Sequence, residues 1–284
     1  MSEEQDRKLW HDGFYASIKL ELRRFADKLK YIEEHTLGKE PLKVDMIIIK
    51  KMKDAVIENE VGRIFREYNI FEYKSPDDGL TIDDFAKAVS YALLFKSLSD
   101  RVNDIKFDEL TVSLVRDIYP RELFKELERL GSNIAEEYPG IYYVDGMVNF
   151  PVQIIVTSKL RGKGHSWLKI VSNKAQEEDV REALNDSASF EQQGDKLNAS
   201  AVLNLSSEAN SELYYMIRSE WGMTGHGLWE LFKEDTERIM EQGIERGRQE
   251  GRQEGREEML AYFRRMGISE DIIKNAPDLR QNAE

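Results

Sequence analysis

Pro41-Leu42-Lys43-Val44-Asp45-Met46-Ile47-Ile48-Ile49-Lys50-Lys51 is the stretch that sets the fold class. Its near-continuous apolar run reads as a buried strand over 42–49. Lys43, Asp45, Ile47 and Ile49 fall on one face, and Val44, Met46 and Ile48 on the other. A lone Asp inside such a run is poorly favoured. Its bland reading is a hydrogen-bonder at a strand edge, and its functional reading is a ligand.

Working outward, Asn69 to Ser75 reads as a second strand, closed by the Pro76-Asp77-Asp78-Gly79 turn. Within it Glu72-Tyr73-Lys74 puts Glu72 and Lys74 on one face, and Phe71 and Tyr73 on the other. Thr81 and Asp84 form a capping box for a helix from Ile82 to about Leu98. Further strands are expected at 109–118, 140–144 and 152–157, with Trp167–Val171 as an additional short one. Pro120 opens a helix running to Leu130. Upstream, Trp10, Phe14, Ile18, Leu22, Phe25, Leu29 and Ile32 recur at helical spacing. They predict one long amphipathic helix from Lys8 to Glu34. Glu21 lies inside its apolar stripe, where a carboxylate is costly unless paired.

A soft boundary is expected near Ala175. The chain is read as residues 1–175 forming an α/β domain, 176–230 a helical extension, and 231–284 a repeat-bearing tail. Residues 243–258 repeat every four positions, with Gly243, Gly247, Gly251 and Gly255 in one helical column. Like charges at i,i+4 and glycine in the helix both work against stability. The segment is therefore either a self-association helix, giving a homo-oligomer, or a low-complexity tether. Met259, Leu260, Phe263 and Met266 add a small helical hairpin.

Composition narrows the chemistry. The 284 residues hold no cysteine and only four histidines, and carry a net charge of −13 with 33% charged residues. Disulfide scaffolds, iron–sulfur proteins and thiol enzymes are excluded. His11, His35, His165 and His226 show no zinc-type pairing. Arg161-Gly162-Lys163-Gly164 lacks Walker spacing and reads as a basic hairpin tip. Met46 to Ile49 is far shorter than a membrane span. The first residues lack a signal-peptide core, so a cytoplasmic protein is expected. The acidic balance argues against a nucleic-acid coat protein.

A carboxylate beside an ammonium, with another carboxylate near, suits Mg²⁺-assisted phosphodiester hydrolysis. Alone, Glu-x-Lys arises by chance in so charged a chain. Asp45 and Glu21 supply further acids, and Lys87 and Tyr91, one turn apart, could face the same place.

Three blocks together resemble a known family: Trp10-His11-Asp12-Gly13-Phe14-Tyr15 running on to Leu20-Glu21-Leu22, then Pro41 to Lys51, then Asn69-Ile70-Phe71-Glu72-Tyr73-Lys74-Ser75-Pro76-Asp77-Asp78. They are similar to the PD-(D/E)XK nuclease family of transposase-like proteins, the Rpn-type recombination-promoting nucleases. The likeness covers about residues 8–98 well, continues loosely to about 170, and extends to the tail by texture. It implies a restriction-endonuclease-like α/β core of helix, mixed sheet, crossover helix and further strands. It also implies a DNA endonuclease linked to recombination or mobile elements. Carried over by motif, Asp45 and Glu72 are the metal ligands and Lys74 the catalytic lysine. Glu21 is the first-helix acid, with Glu33 or Glu34 as substitutes, and Lys87 and Tyr91 line the substrate side. Val44 stands where the motif has Pro, which leaves Asp54 as a rival to Asp45.

The implied cofactor is Mg²⁺ or Mn²⁺, which suits a chain without cysteine. The implied partner is DNA, held by weak, salt-sensitive contacts through Lys43, Lys50, Lys51, Lys53, Lys74 and Lys87. Two other readings remain: a catalytically silent nuclease fold that assembles through its repeat helix, and a triggered nuclease toxin or defence effector.

Overall fold

A computed structural model gives the fold for residues 3–37, 42–162, 164–217 and 219. The expected repeat helix at 243–258, the terminal hairpin and His226 lie outside the described residues.

Helices and strands are interspersed in a mixed α/β order. They are α1 (Glu3–Glu21), β1 (Leu29–Leu37), β2 (Leu42–Lys50), β3 (Tyr68–Tyr73), α2 (Ile82–Ser97), β4 (Leu110–Arg116), α3 (Arg121–Arg129), β5 (Asn133–Tyr138), β6 (Ile141–Asp145), β7 (Val152–Val156), α4 (Ser166–Lys169), α5 (Glu177–Ser187) and α6 (Gln193–Ala209). Seven strands form one mixed sheet in the order β1-β2-β3-β4-β7-β6-β5. The three central strands β3, β4 and β7 run parallel, while β1–β2–β3 and β5–β6–β7 pair antiparallel.

The parallel centre explains the sequence pattern. Strands covered on both faces read as apolar runs, and every residue of β7 is buried, as are the first six of β4. On one face, Ile70, Val112 and Leu114 pack with Phe85, Ala88 and Val89 of α2 and Leu123 and Leu127 of α3. On the other lies α1, whose Phe14 ring stacks on Tyr73 at 4.4 Å and 5°. Helices α4 and α6 pack on α1, and α5 packs on both of them. The helices that follow the expected boundary near Ala175 thus continue this helical layer. Gly13 permits the close approach of α6, because a Cβ there would stand 2.0 Å from Leu205 Cδ2.

Three local expectations change. The expected helix from Lys8 to Glu34 ends at Glu21. A 3-10 turn at Arg23–Phe25 follows, and the rest becomes β1. Leu29 and Ile32 kept helical spacing, but Tyr31, Ile32 and Thr36 are strand formers with an eight-residue ladder open to them on β2. Pairing overrides a weak local preference. Trp167–Val171 is not a strand, since Ser166–Lys169 forms one helical turn with Trp167 fully buried. Its indole Nε1–H donates to Asp186 Oδ2 at 2.7 Å, which satisfies the polar edge of the ring. The sequence reading contained no strand at Asn133–Tyr138. It is an acidic edge strand without alternation, joined to β6 by a turn whose Gly140 has φ +80°.

The capping box forms as expected. Thr81 Oγ1 accepts from the Asp84 N–H at 3.3 Å, and Asp84 Oδ2 accepts from the Thr81 N–H at 2.8 Å. Thr81→Ala is expected to cost about 1 kcal/mol in urea unfolding, the usual cost of losing an N-cap. A loss below about 0.3 kcal/mol would show that this cap contributes little. Among the described residues no helix is long and apolar enough to cross a membrane.

Candidate functional site

The C-terminal ends of parallel strands are where α/β sheets present ligand-binding groups. Glu72 is the penultimate residue of β3 and Lys74 follows its end. Lys74 N–H still donates to Val115 O of β4 at 2.9 Å, so the sheet fixes its backbone. On the other side the β2–β3 ladder ends at the Met46↔Phe71 pair. Asp45 and Glu72 occupy the next step, where the two strands part. There the Asp45 side chain replaces a main-chain partner, and its Oδ2 accepts from the Tyr73 N–H at 2.8 Å. Asp45 thus earns its place in an apolar strand by closing the ladder with a carboxylate.

Glu72 is 2% exposed. Its Oε1 accepts from Lys87 Nζ at 3.0 Å and lies 3.7 Å from Lys74 Nζ. Its Oε2 is buried without a partner. Burial, and then the charge of Asp45, raise the Glu72 carboxyl above the usual carboxylate range, against the pull of Lys87 and Lys74. A buried carboxylate beside a half-buried one resists both being ionised without added positive charge. Lys74 also pairs with Asp84 Oδ1 at 2.7 Å, which anchors the ammonium to the first turn of α2. Burial opposes the Asp84 charge, but the bonds from Lys74 and Thr81 outweigh it and hold that carboxyl low.

Lys87, one turn further along α2, lies 5.2 Å over the Tyr91 ring. Burial lowers its pKa, yet the Glu72 carboxylate more than compensates and the ammonium is held above its usual value. From the other layer, His11 Nδ1 comes within 3.4 Å of Asp45 Oδ1, and its ring stands edge-on to Tyr73 at 5.5 Å. Burial disfavours the imidazolium, but Asp45 outweighs this and raises the His11 pKa.

The structure therefore brings together Asp45, Glu72, Lys74, Lys87 and Tyr91. It does not bring Glu21 to them. Glu21 closes α1 ten residues beyond His11, about 15 Å along a helix rising 1.5 Å per residue. Its carboxylate is buried against other groups. Oε1 accepts from Asn59 Nδ2 at 2.7 Å and from His165 Nδ1 at 2.6 Å. Of its two substitutes, Glu33 is exposed on β1 and pairs with Lys19 at 2.5 Å, and the Glu34 side chain lies outside the described residues. The rival Asp54 is exposed in the loop after β2.

The expected basic cleft also thins. Lys50 ends β2 at the opposite end from Asp45 and Lys51 follows it, and they donate to the carbonyls of Lys53, Ala55 and Ala26. Lys53 pairs with Glu67 and Glu109. Among the described side chains, Lys74 and Lys87 are the lysines that stay with the carboxylates, and the Lys43 side chain lies outside the described residues. Sequence reasoning did not assign His11 to Asp45, nor Asp84 to Lys74. The spacing of His11 on the stripe of Trp10 and Phe14 was the signal for the first, and the capping box for the second.

His165 carries a pH prediction. Its Nδ1 meets Glu21 Oε1 at 2.6 Å and its Nε2 meets Glu60 Oε2 at 3.2 Å, so the protonated ring can donate to both carboxylates at once. Burial lowers its pKa, but the two carboxylates win and the folded-state pKa stands above 6.5. A raised histidine stabilises fully below its unfolded pKa, and that contribution fades as pH rises through the folded value. The melting temperature is expected to fall on the alkaline side of pH 6.5, and to fall less steeply in His165→Gln. Equal slopes for parent and variant would remove His165 from the account.

Among the described residues no three His, Asp or Glu side chains converge as a ready metal cage. Mg²⁺ commonly uses one or two carboxylates and keeps several waters. The donor set here fits that habit, with two hard carboxylates and one buried Glu72 oxygen that has no other partner. Comparison with protein-family models, curated proteins and solved structures finds no match for this chain.

Proposed function

We propose that the chain is a metal-dependent DNA endonuclease with a restriction-endonuclease-like core of the PD-(D/E)XK kind, linked to recombination or mobile elements. The observation that carries this reading is the parting of β2 and β3 at Asp45 and Glu72. It leaves two carboxylates facing one gap, one of them with an unpartnered buried oxygen, and with Lys74 and Lys87 beside it. The helix–sheet–crossover-helix order of α1, β1–β3, α2 and β4 supports the same reading.

Asp45 and Glu72 would hold Mg²⁺ or Mn²⁺. When bound, the ion offsets charge on the scissile phosphate and eases deprotonation of the attacking water. Lys74, fixed by the sheet and by Asp84, stabilises negative charge that develops on the phosphate. Lys87 sits 46% exposed over Tyr91 and can meet the DNA backbone. Tyr73 and Phe14 keep Asp45 in register from beneath. Glu21 takes no part in this scheme, because its Oε1 is committed to Asn59 and His165.

The direct test is supercoiled plasmid incubated with the full chain and Mg²⁺, with and without chelator. Nicking or linearisation that needs the metal and is lost in Glu72 and Lys74 variants is expected. Cleavage indifferent to both variants would defeat the assignment.

A further inference from the structure

Two ammoniums meet the same oxygen of Glu72, and they are held differently. Lys87 Nζ lies 3.0 Å from Oε1 and Lys74 Nζ 3.7 Å. Lys74 also pairs with Asp84 at 2.7 Å, and its N–H is bound to Val115 O of β4. Its place is fixed whether or not Glu72 holds it. Among the described residues Lys87 has Glu72 as its one carboxylate partner, and its other neighbour is the neutral Tyr91 ring. Of the side chains at Oε1, Lys87 is also the most exposed, at 46% against 18% for Lys74 and 3% for Glu72. Solvent therefore reaches this oxygen past the Lys87 ammonium.

The charges around Glu72 say what a bound ion does to that ammonium. Asp45, Glu72 and Asp84 against Lys74 and Lys87 leave one net negative charge, and His11 beside Asp45 at most cancels it. Such a group does not attract a phosphate backbone. With a divalent ion on Glu72 the group becomes positive, and Lys87 is repelled by a like charge instead of held by an opposite one. The first turn of α2 is capped by Thr81 and Asp84, so the helix gives Lys87 a fixed base. Its flexible four-carbon stem can then turn outward by side-chain rotation alone, within nanoseconds.

We infer that Lys87 changes partners: it holds Glu72 while no ion is there, and passes to a DNA phosphate when an ion takes that carboxylate. Metal and DNA then bind cooperatively, and Lys87 carries part of the coupling. This rests on the reading of Asp45 and Glu72 as metal ligands. It also goes beyond that reading, which a lysine kept on DNA, or kept on Glu72, would serve equally well.

Two binding measurements on the full chain test this: calorimetry of Ca²⁺ alone, and fluorescence anisotropy of a labelled DNA duplex. Ca²⁺ serves as the probe because it takes the same carboxylate oxygens as Mg²⁺. The parent should bind the duplex at least about fivefold more tightly with Ca²⁺ than with chelator, and the duplex should tighten Ca²⁺ by the same factor. Lys87→Met should bind Ca²⁺ alone at least about threefold more tightly, the scale of a half-exposed ion pair no longer competing. Its duplex affinity should drop at least about threefold with Ca²⁺ and less than about 1.5-fold with chelator. Lys87→Arg should behave like the parent. A merely structural role for Lys87 would move none of these ratios. The inference is overturned if Ca²⁺ and the duplex bind without coupling, if Lys87→Met weakens the duplex equally with and without Ca²⁺, or if Ca²⁺ binds that variant no more tightly than the parent. If neither Ca²⁺ nor Mg²⁺ binds the parent at millimolar concentration, or the duplex does not bind, the nuclease reading falls and the inference with it.

Discussion

Glu72→Gln is expected to lower Mg²⁺-dependent plasmid cleavage by at least about 10²-fold while the chain stays folded. The scale is that of removing one group which stabilises charge in the transition state. Gln keeps the size of Glu72 and an oxygen for Lys87, so packing at this 2% exposed position is preserved. What is lost is the charge and one of the two carboxylates in the gap. Because burial and Asp45 already disfavour that charge, the variant should be no less stable than the parent. Activity and stability then separate, which a merely structural role for Glu72 would not allow. Lys74→Met should cost roughly 10²- to 10³-fold by the same logic. Lys87→Met should cost less than about tenfold, because its ammonium is half exposed and screened. If Glu72→Gln and Lys74→Met both cut at the parent rate, the carboxylate gap is not a catalytic centre.

Phe14→Ala is expected to destabilise the chain by about 3–5 kcal/mol, the usual cost of emptying a buried aromatic position. Phe14 is 1% exposed, stacked on Tyr73 and 6.4 Å from Phe71. It is the main aromatic contact between α1 and the end of β3. Since whole domains are stable by only about 5–15 kcal/mol, the variant should unfold at markedly lower urea. Below its unfolding range it should also cleave more slowly, because Tyr73 loses the ring that holds its strand end against Asp45. A loss under about 1 kcal/mol would show that the helical layer is held to the sheet elsewhere.

The buried strands and the helix between them were legible in the amino-acid sequence, each for a physical reason. Met46 to Ile49 must be covered on both faces. Glu72 and Lys74 share a face because side chains alternate, and Thr81 with Asp84 marks a helix start that no strand could use. The change at Leu22 was not legible. Leu29 and Ile32 carry on the helical spacing past the point where the helix stops, and only the free ladder of β2 turns that segment into a strand. The strand at Asn133–Tyr138 lacks a pattern because it is an edge, exposed along most of its length. The place of Glu21 was half legible. Its burial on the stripe was anticipated, but its partner His165 lies 144 residues away, and nothing local announces such a pairing.

The bond from the Tyr73 amide to Asp45 ties the end of β3 to the ionic state of that carboxylate. In an ordinary sheet, fraying of the last residue is a private matter between two backbones. Here the acceptor is also a charged group with competing demands. Anything that draws electron density from Asp45 weakens the final rung, and anything that pins the rung pre-orients the carboxylate. Local unfolding of the strand terminus and cation affinity are thereby thermodynamically linked, and the coupling has equal size in both directions.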